Sequence, residues 1–363
     1  MKKNCYGLLV ALLMCASVGL SWQPLCGEPR GMAHKIQKIR RSDVHLRNVR
    51  KPVKSAPQKN ARTIRLSVWD SIATQIAAEA GKEKHLKLIS GLDEQSIATV
   101  NRIISRCQQV QKNQKVFANE QECQILLDMQ SNFWDKITRT ADGNFAWKQY
   151  ILPVNHFESQ IFYDEMHIDR LKTLNNIRNK DIIDAGAFVG DSALILSPHT
   201  NGKIFAFEPV SKTYALLQET IKINNLRNII SVNMGLGDKN EVSSICVRGS
   251  GSSFVFNESS VKASDIEGGI QVTTIDDFVA KNNLQIGLIK ADIEGFEQYM
   301  LRGAEKTIKE QKPILMICIY HNSSDFFDIK PWIESLNLGY KFRIIKPVNR
   351  TVLLETVLIA EVI

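Results

Sequence analysis

The sequence predicts an α/β fold in which a mostly parallel sheet ends in an antiparallel hairpin and a small helical module precedes the sheet. Three observations support this prediction. After Tyr150, short β-rich runs alternate with amphipathic stretches, which is the pattern of βαβ units. The last two β-rich runs have no helix between them, which indicates a hairpin. Before Tyr150, apolar residues recur at helical spacing instead.

The first 25 residues are predicted to be a signal peptide or a membrane anchor. Lys2 and Lys3 precede an uncharged run at residues 6–22, which is the usual order in a targeting segment. The length of the run is at the lower edge for a membrane span, so hydropathy does not choose between the two. More basic residues follow the run than precede it, which favours a domain held at the cytoplasmic face of a membrane. The alternatives are a cytoplasmic protein that starts at Met32 and an exported protein.

Residues 26–65 are predicted to be a basic, disordered tether. The chain has a net charge of +8, and residues 27–65 hold twelve Lys or Arg against two acids. A basic stretch beside an apolar run is suited to anionic lipid. Basic residues are not interleaved with aromatic residues in a stripe, so nucleic acid is not predicted as a partner. The seven cysteines form no C-x-x-C pair, so neither a zinc site nor a disulfide framework is predicted.

Residues 66–150 are predicted to form the helical module. Apolar residues such as Val100 and Ile104 follow three- and four-residue spacing, and the first seventy residues of the segment contain no Pro. Gly81 and Gly91 are expected to separate three helices. A stripe of this kind is usually core, so no chemistry is assigned to the module.

Residues 151–363 are predicted to form the α/β domain. The candidate strands are residues 181–185, 203–207, 229–232, 287–291, 314–319, 342–345 and 351–360. The candidate helices are residues 211–224, 275–281, 297–310 and 325–336. Residues 249–254, rich in Gly and Ser, are expected to be a flexible loop over a pocket or a simple hairpin turn.

A glycine turn follows the first predicted strand, with the sequence Asp184-Ala185-Gly186-Ala187-Phe188-Val189-Gly190-Asp191. Glycines let a backbone approach a ligand closely, although glycine turns also follow strands for structural reasons. The second predicted strand ends in Glu208-Pro209, and an acid at that distance from the turn can accept both ribose hydroxyls. The two features together predict an adenosine site.

The choice of cofactor depends on the residues within the turn. A dinucleotide needs three glycines to seat its pyrophosphate, whereas this turn has Gly186 and Gly190 with the bulky Phe188 between them. The acids Asp184 and Asp191 are unfavourable for a diphosphate and suit a ligand with a sulfonium and an ammonium group. S-adenosylmethionine is therefore the predicted cofactor, and an NAD-dependent oxidoreductase is the disfavoured alternative.

One further acid follows the third predicted strand. Asp238, in a Gly-Asp turn, is placed to accept the adenine amino group, or it simply makes a good turn. The predicted cofactor-binding residues are Asp184, Gly186, Ala187, Phe188, Gly190, Asp191, Glu208, Pro209 and Asp238.

Five stretches of the chain resemble the FkbM-type methyltransferase family. They are residues 183–192, 205–209, 274–278, 289–297 and 355–358, the most specific being Lys290-Ala291-Asp292-Ile293-Glu294-Gly295-Phe296-Glu297. The resemblance covers roughly residues 155 to 361. It implies a class I, Rossmann-like methyltransferase fold and O-methylation of a hydroxyl on a sugar, on a glycan or lipid-linked saccharide, or on a secondary metabolite. Family members often carry an acid late in the fifth strand, where this chain has Met316-Ile317-Cys318-Ile319.

Candidate catalytic residues follow the fourth and fifth predicted strands. Methyl transfer to an alcohol needs alignment of the hydroxyl and a general base, and the ligand crevice of an open α/β sheet lies at the carboxyl ends of its strands. Asp292, Glu294 and His321 occupy such positions. The alternatives are helix N-capping for the two acids and a hydrogen-bonded surface role for the histidine. A divalent metal is not predicted, because sequence cannot place a third carboxylate.

The sequence therefore predicts an S-adenosylmethionine-dependent O-methyltransferase that acts on a small-molecule or glycan acceptor, with possible membrane association through residues 6–22. The alternative from another class is a membrane-tethered binding protein that keeps the fold without turnover. The oligomeric state is left open.

Overall fold

The computed structural model describes residues 64–67, 70–246, 253–254 and 266–363. The apolar run at residues 6–22, nearly all of the basic tether and most of the predicted loop at residues 249–254 lie outside the described residues. Within the described ranges, no helix combines the length and the apolar character needed to cross a membrane.

Four helices lie between residues 70 and 132, where the sequence predicts three. They are α1 (Asp70–Glu79), α2 (Lys82–Ile89), α3 (Glu94–Gln111) and α4 (Glu120–Asn132). The side chain of Asp93 caps α3 by accepting the Ser96 amide at 2.7 Å. Asn119 and Glu122 form a capping box at the start of α4, which satisfies amides that a helix start leaves free. These caps explain why the chain breaks into separate helices there.

A small antiparallel sheet follows the helices, made of β1 (Thr138–Arg139), β2 (Phe145–Trp147) and β3 (Tyr150–Leu152). The remaining strands, in chain order, are β4 (Asp181–Ala185), β5 (Ile204–Phe207), β6 (Ile229–Val232), β7 (Gly235–Leu236), β8 (Glu241–Cys246), β9 (Ser253–Phe254), β10 (Ile266–Thr273), β11 (Ile286–Ala291), β12 (Ile314–Cys318), β13 (Tyr340–Ile345) and β14 (Val357–Val362). The remaining helices are α5 (Ser159–Phe162), α6 (Asp191–Leu196), α7 (Ser211–Ile223), α8 (Ile275–Asn282), α9 (Glu297–Arg302), α10 (Glu305–Gln311) and α11 (Ser323–Ser335).

The central sheet has seven strands in the order β13-β14-β12-β11-β4-β5-β6. Strands β6, β5, β4, β11 and β12 are parallel to one another, whereas β14 is antiparallel to both β12 and β13. The strand order reverses between β4 and β11, which makes the crevice at their carboxyl ends the expected ligand site. This topology confirms the predicted α/β class, a Rossmann-like class I sheet with a C-terminal antiparallel hairpin.

Two predicted elements differ from the structure. The predicted helix at residues 297–310 is divided into α9 and α10 at Gly303, where a Cβ atom would lie 2.0 Å from the carbonyl oxygen of Gly237. The last predicted strand begins later, because Thr356 donates its hydroxyl hydrogen to Leu353 O at 2.6 Å and residues before Val357 form a turn. A four-stranded sheet of β7, β10, β8 and β9 was not predicted.

The helical module packs against the central sheet. One buried cluster joins Ile76 and Val100 of the module to Phe342 of β13 and Leu315 of β12. Polar contacts add to this packing, since Ser96 Oγ accepts the amide hydrogen of Ile344 at 3.0 Å. The predicted boundary at residue 150 stays a prediction.

Candidate active site

A cavity of about 250 Å³ lies at the carboxyl ends of β4, β5, β11 and β12. Six of its lining residues carry carboxylates, namely Glu158, Asp191, Glu208, Asp292, Glu294 and Glu355, while Lys290 and His156 are its basic residues. The surplus of carboxylates makes this a site for a neutral or cationic ligand.

The glycine turn after β4 forms one wall of the cavity. Gly186, Phe188 and Gly190 all have left-handed backbones, with φ of 76°, 46° and 89°. A Cβ atom on Gly186 would lie 1.9 Å from the carbonyl oxygen of Asp292, so only glycine allows the turn to contact the loop after β11. The two segments that the sequence singles out are therefore in direct backbone contact.

Asp184 lies behind the wall, and it does not line the cavity. Its carboxylate is fully buried, accepts the Ser192 hydroxyl at 2.7 Å and pairs with Lys290 Nζ at 3.1 Å. Lys290 also donates to the carbonyl oxygen of Gly186 at 2.8 Å. The Asp184–Lys290 pair thus holds the glycine turn in place. Lys290, which belongs to the most specific motif of the sequence, contacts both Asp184 and the turn.

Glu208 lines the cavity at the end of β5. Its two carboxylate oxygens accept the amides of Phe188 and Val210 at 3.0 and 2.9 Å, and Thr213 donates to it at 2.6 Å. Burial raises the pKa of Glu208 to about 7 against the opposing effect of these hydrogen bonds. The amides fix the carboxylate at the edge of the cavity, beside the glycine turn.

Asp292 and Tyr320 form a second polar group in the cavity. The Tyr320 hydroxyl lies 3.1 Å from Asp292 Oδ1 and 3.4 Å from Glu355 Oε1. Burial raises the pKa of Asp292, but its bond with His321 and the nearby positive charges outweigh burial and bring the pKa to about 2. Burial and the charges of Glu158 and Asp292 raise the pKa of Glu355 well above its usual range. Asp292 is therefore the ionised member of the group.

His321 lies beneath these acids, with only 3% of its side chain exposed. Its Nε2 is 3.2 Å from Asp292 Oδ1, and its Nδ1 is 2.9 Å from Glu297 Oε1. Burial lowers the pKa of His321, but Glu297 and Asp292 outweigh burial and raise it well above its usual range. The ring is an enclosed imidazolium with both nitrogens facing acids, so the predicted role of His321 as a base does not fit its surroundings.

Glu297, at the start of α9, organises the loop after β11. Its carboxylate accepts the amides of Ile293 and Gly295 at 2.8 and 3.0 Å in addition to facing His321. The loop contains Glu294, whose backbone is left-handed with φ of 56°. Burial and the charges of Asp292, Glu297 and Glu158 raise the pKa of Glu294 to about 8, against the opposing charge of His321. Glu294 is thus a carboxyl group that titrates near neutral pH inside the cavity.

Three groups of described residues bring three ligand-type atoms within 4.8 Å of one another: His156, Glu158 and Asp191; Asp292, Cys318 and Glu355; and Asp292, Glu297 and His321. The third carboxylate that sequence could not place beside Asp292 is Glu355. In the third group the histidine is protonated, which disfavours metal binding because a metal ligand must be neutral imidazole.

The structure brings most of the predicted site residues together. Gly186, Phe188, Asp191, Glu208, Pro209, Asp292 and Glu294 line the cavity, whereas Asp184, Ala187, Gly190, Asp238 and His321 do not. Asp238 lies outside it, and its carboxylate faces Arg302 at 3.9 Å. The adenine role predicted for Asp238 therefore has no support in the geometry. The lining residues to which sequence reasoning gave no role include His156, Glu158, Tyr320 and Glu355.

The comparisons with known proteins agree on a methyltransferase fold. Residues 184–342 match the family model of the methyltransferase FkbM domain. The chain is 23% identical over 222 residues to Methyltransferase 1 of Beauveria bassiana, a match that covers 55% of this chain and 88% of that protein.

Solved structures of low identity are similar as well. The crystal structure of methyltransferase FkbM from Methylobacillus flagellatus KT is 19% identical with a TM-score of 0.49, and the match covers 77% of this chain and 58% of that one. A SAM-dependent methyltransferase from Aquifex aeolicus is 10% identical with a TM-score of 0.33, and the match covers 57% of this chain and 94% of that one. The chain therefore spans little more than half the length of the FkbM structure.

Proposed function

Residues 184–342 form a methyltransferase domain of the FkbM family, and on that premise we propose that the protein uses S-adenosylmethionine to methylate a hydroxyl oxygen of a sugar, a glycan or lipid-linked saccharide, or a secondary metabolite. The observation that carries the proposal is the direct backbone contact between the glycine turn at Gly186 and the loop that bears Asp292 and Glu294. This contact joins an adenosine-type site to a group of ionisable residues in one cavity.

The residues around Glu208 fit the adenosyl part of the cofactor. Oε1 of Glu208 already accepts the Val210 amide and the Thr213 hydroxyl. Oε2 accepts only the Phe188 amide among the described residues, so it keeps a lone pair that suits a ribose hydroxyl. The apolar residues Met234 and Leu236 line the same end of the cavity and suit a flat base. When bound, S-adenosylmethionine supplies a methyl carbon activated by its sulfonium.

Glu294 is the residue best suited to take the acceptor proton. A general base is most effective when its pKa is close to the working pH, and the pKa of Glu294 is about 8. Asp292, held ionised beside the imidazolium of His321, accepts and orients the acceptor hydroxyl, and the Tyr320 hydroxyl fixes the Asp292 carboxylate. His321 in this scheme is a positioning residue, because it stays protonated.

The charge of the cavity favours a neutral acceptor over an anionic one. A phosphate or carboxylate group on the acceptor would face Asp292, the ionised acid of this group, and charges of like sign repel strongly in a low-dielectric site. Neutral hydroxyl-rich acceptors can instead donate hydrogen bonds to the same carboxylates. We place the enzyme at the cytoplasmic face of a membrane, through residues 6–22, as part of this proposal.

Transfer of a labelled methyl group tests the proposal directly. The full-length protein would be incubated with methyl-labelled S-adenosylmethionine and with fractionated neutral glycans, lipids and small metabolites. The expected result is label in a neutral, hydroxyl-bearing fraction, in a bond that resists alkali as an ether does. The matched control is Glu305→Gln, because Glu305 is partly exposed on α10 and pairs only with Lys309 among the described residues. A protein that binds the cofactor but labels no fraction would be a binding protein, and label confined to anionic acceptors would contradict the predicted acceptor class.

A further inference from the structure

One end of the cavity is lined by His156, Glu158 and Asp191. Asp191 belongs to the glycine turn, whereas His156 and Glu158 precede β4 and lie outside residues 184–342, the part that matches the family model. The segment before the methyltransferase domain thus contributes side chains to its cavity.

The three side chains form a compact, mixed-charge triad. The His156 Nε2 atom is 2.9 Å from Glu158 Oε1, and one atom from each of the three residues falls within a 4.8 Å group. The His156 ring packs edge-on against Phe188, with ring centroids 4.7 Å apart. The Phe188 amide donates to Glu208, so the triad and the proposed ribose site lie on the two sides of one residue.

Asp191 is almost fully buried, with only 4% of its surface exposed, and it also lines the cavity. Its Oδ1 accepts the amide hydrogen of Ser192 at 2.8 Å. Among the described residues, none donates a hydrogen bond to its second carboxylate oxygen. Because Asp191 lines the cavity, that oxygen is open to a ligand with a positively charged donor.

The ionisation of the triad favours an organic ligand over a metal ion. Burial lowers the pKa of His156, but the charges of Glu158 and Asp191 and the bond with Glu158 outweigh burial and raise it to about 9. Burial raises the pKa of Asp191 to about 7, against the opposing charge of His156. A protonated histidine cannot ligate a metal, but it can bind a carboxylate.

We propose that His156, Glu158 and Asp191 bind the amino-acid end of the S-adenosyl cofactor. The imidazolium of His156 takes the α-carboxylate, and Glu158 and Asp191 take the α-ammonium. The proposal rests on the proposed function, and it assigns the recognition of the cofactor head group to residues that partly lie outside the family match. Phe188 separates this head-group site from the ribose site at Glu208.

Calorimetry with three related ligands tests the assignment on the full-length protein. S-adenosylhomocysteine carries the complete head group, its decarboxylated analogue lacks the carboxylate, and 5′-methylthioadenosine lacks the whole amino-acid end. In the His156→Gln variant we expect about a tenfold loss of affinity for S-adenosylhomocysteine, as for one charge-assisted bond, and unchanged affinity for the other two. Asp191→Asn is expected to weaken the first two ligands and to leave 5′-methylthioadenosine unaffected.

The control variant is His85→Gln, because His85 is a partly exposed histidine on α2 that contacts Asn101 and lies outside the cavity. An equal loss of affinity for all three ligands in His156→Gln would show that His156 has a structural role and does not bind the head group. Equal affinity of the wild-type protein for S-adenosylhomocysteine and 5′-methylthioadenosine would contradict the head-group site and would leave the proposed function unaffected. Binding of none of the three ligands would instead refute the proposed function, and binding that appears only with added Zn²⁺ or Mg²⁺ would reassign the triad to a metal.

Discussion

A Cβ atom on Gly186 would lie 1.9 Å from the backbone carbonyl oxygen of Asp292. The glycine turn and the loop that carries the candidate catalytic acids are therefore packed backbone to backbone, and one residue without a side chain makes this possible. Any side chain at Gly186 must push the Asp292 loop away from the cofactor end of the cavity.

Gly186→Ala is expected to weaken binding of S-adenosylhomocysteine. It is also expected to lower the free energy of unfolding by more than the cost of a left-handed backbone at alanine. Gly339→Ala is the matched control, because Gly339 has φ of 85°, close to the 76° of Gly186, and an added Cβ there meets no atom of the described residues within 4 Å. The left-handed backbone alone costs about 1–2 kcal/mol, as measured by denaturant unfolding of Gly339→Ala. Equal costs in the two variants would show that the contact with Asp292 is unimportant.

The buried pair of Asp184 and Lys290 gives a second prediction. Asp184→Asn or Lys290→Met leaves one buried charge without its partner, so each single change is expected to cost about 3–5 kcal/mol of unfolding free energy. The double variant removes both charges and should cost less than the sum of the two single changes. Additive costs in this double-mutant cycle, measured by denaturant unfolding, would contradict the ion pair at 3.1 Å.

Much of the fold could be predicted from the sequence because it depends on local patterns. The bounds of β4 and β6 agree with the predicted strands, since both are short apolar runs ended by turn residues. The close approach of Gly303 to the carbonyl oxygen of Gly237 could not be foreseen, because the two residues are more than sixty positions apart in sequence. Distant contacts of this kind leave no local signal.

Sequence motifs identified part of the candidate site, but they did not identify the residues that only the fold brings into the cavity. Glu208 and Asp292 end strands, and strand ends meet at one edge of a parallel sheet. Glu158 precedes β4 and Glu355 precedes β14, and neither position is a strand end in the parallel part of the sheet. The raised pKa of His321 also depends on Glu297, which lies on another element, so sequence alone could not foresee the surroundings of the ring.

Lys330 connects the helical module to α11 and supports a third prediction. Its side chain is fully buried, donates to Ser90 O and Lys87 O of the module, and pairs with Glu334 of α11 at 2.8 Å. Lys330→Met leaves these carbonyl groups without a donor, at a cost of about 1–3 kcal/mol. The expected result in denaturant unfolding is a single transition at lower denaturant concentration. Lys341→Met, on the exposed side of β13, is the control, and two separate transitions in the wild-type protein would instead show that the module folds by itself.

Glu297 is expected to act as a positioning residue through His321. Glu297→Gln removes one of the three acids that face the ring, so the pKa of His321 should fall toward its usual range. Titration of the imidazole by NMR would then show a histidine that loses its proton near neutral pH, unlike the wild-type ring. We expect kcat to fall about ten- to a hundredfold through misplacement of the Asp292 loop, with KM for the cofactor nearly unchanged. An unchanged NMR titration of His321 in this variant would show that Glu297 does not raise the pKa of His321.

Glu294 predicts a pH dependence with a definite sign. Its pKa is raised to about 8 by burial and by Asp292, Glu297 and Glu158, while His321 opposes the rise. A base acts only when it has lost its proton, so kcat/KM of the wild-type protein should increase as the pH rises through about 8. Glu294→Gln should lower kcat by about 10²–10⁴-fold and remove this increase.

The same carboxyl group links activity to stability. Because the folded state holds the proton of Glu294 more tightly than the unfolded state does, its contribution to stability is present below the unfolded pKa and is lost as the pH rises through about 8. Glu294→Gln should therefore lose less unfolding free energy than the wild type between pH 5 and pH 8, as measured by denaturant unfolding at each pH. The Glu294→Gln variant could keep the increase in kcat/KM near pH 8 and still show a smaller change of unfolding free energy with pH. That result would mean that Glu294 titrates as described, while another residue takes the acceptor proton.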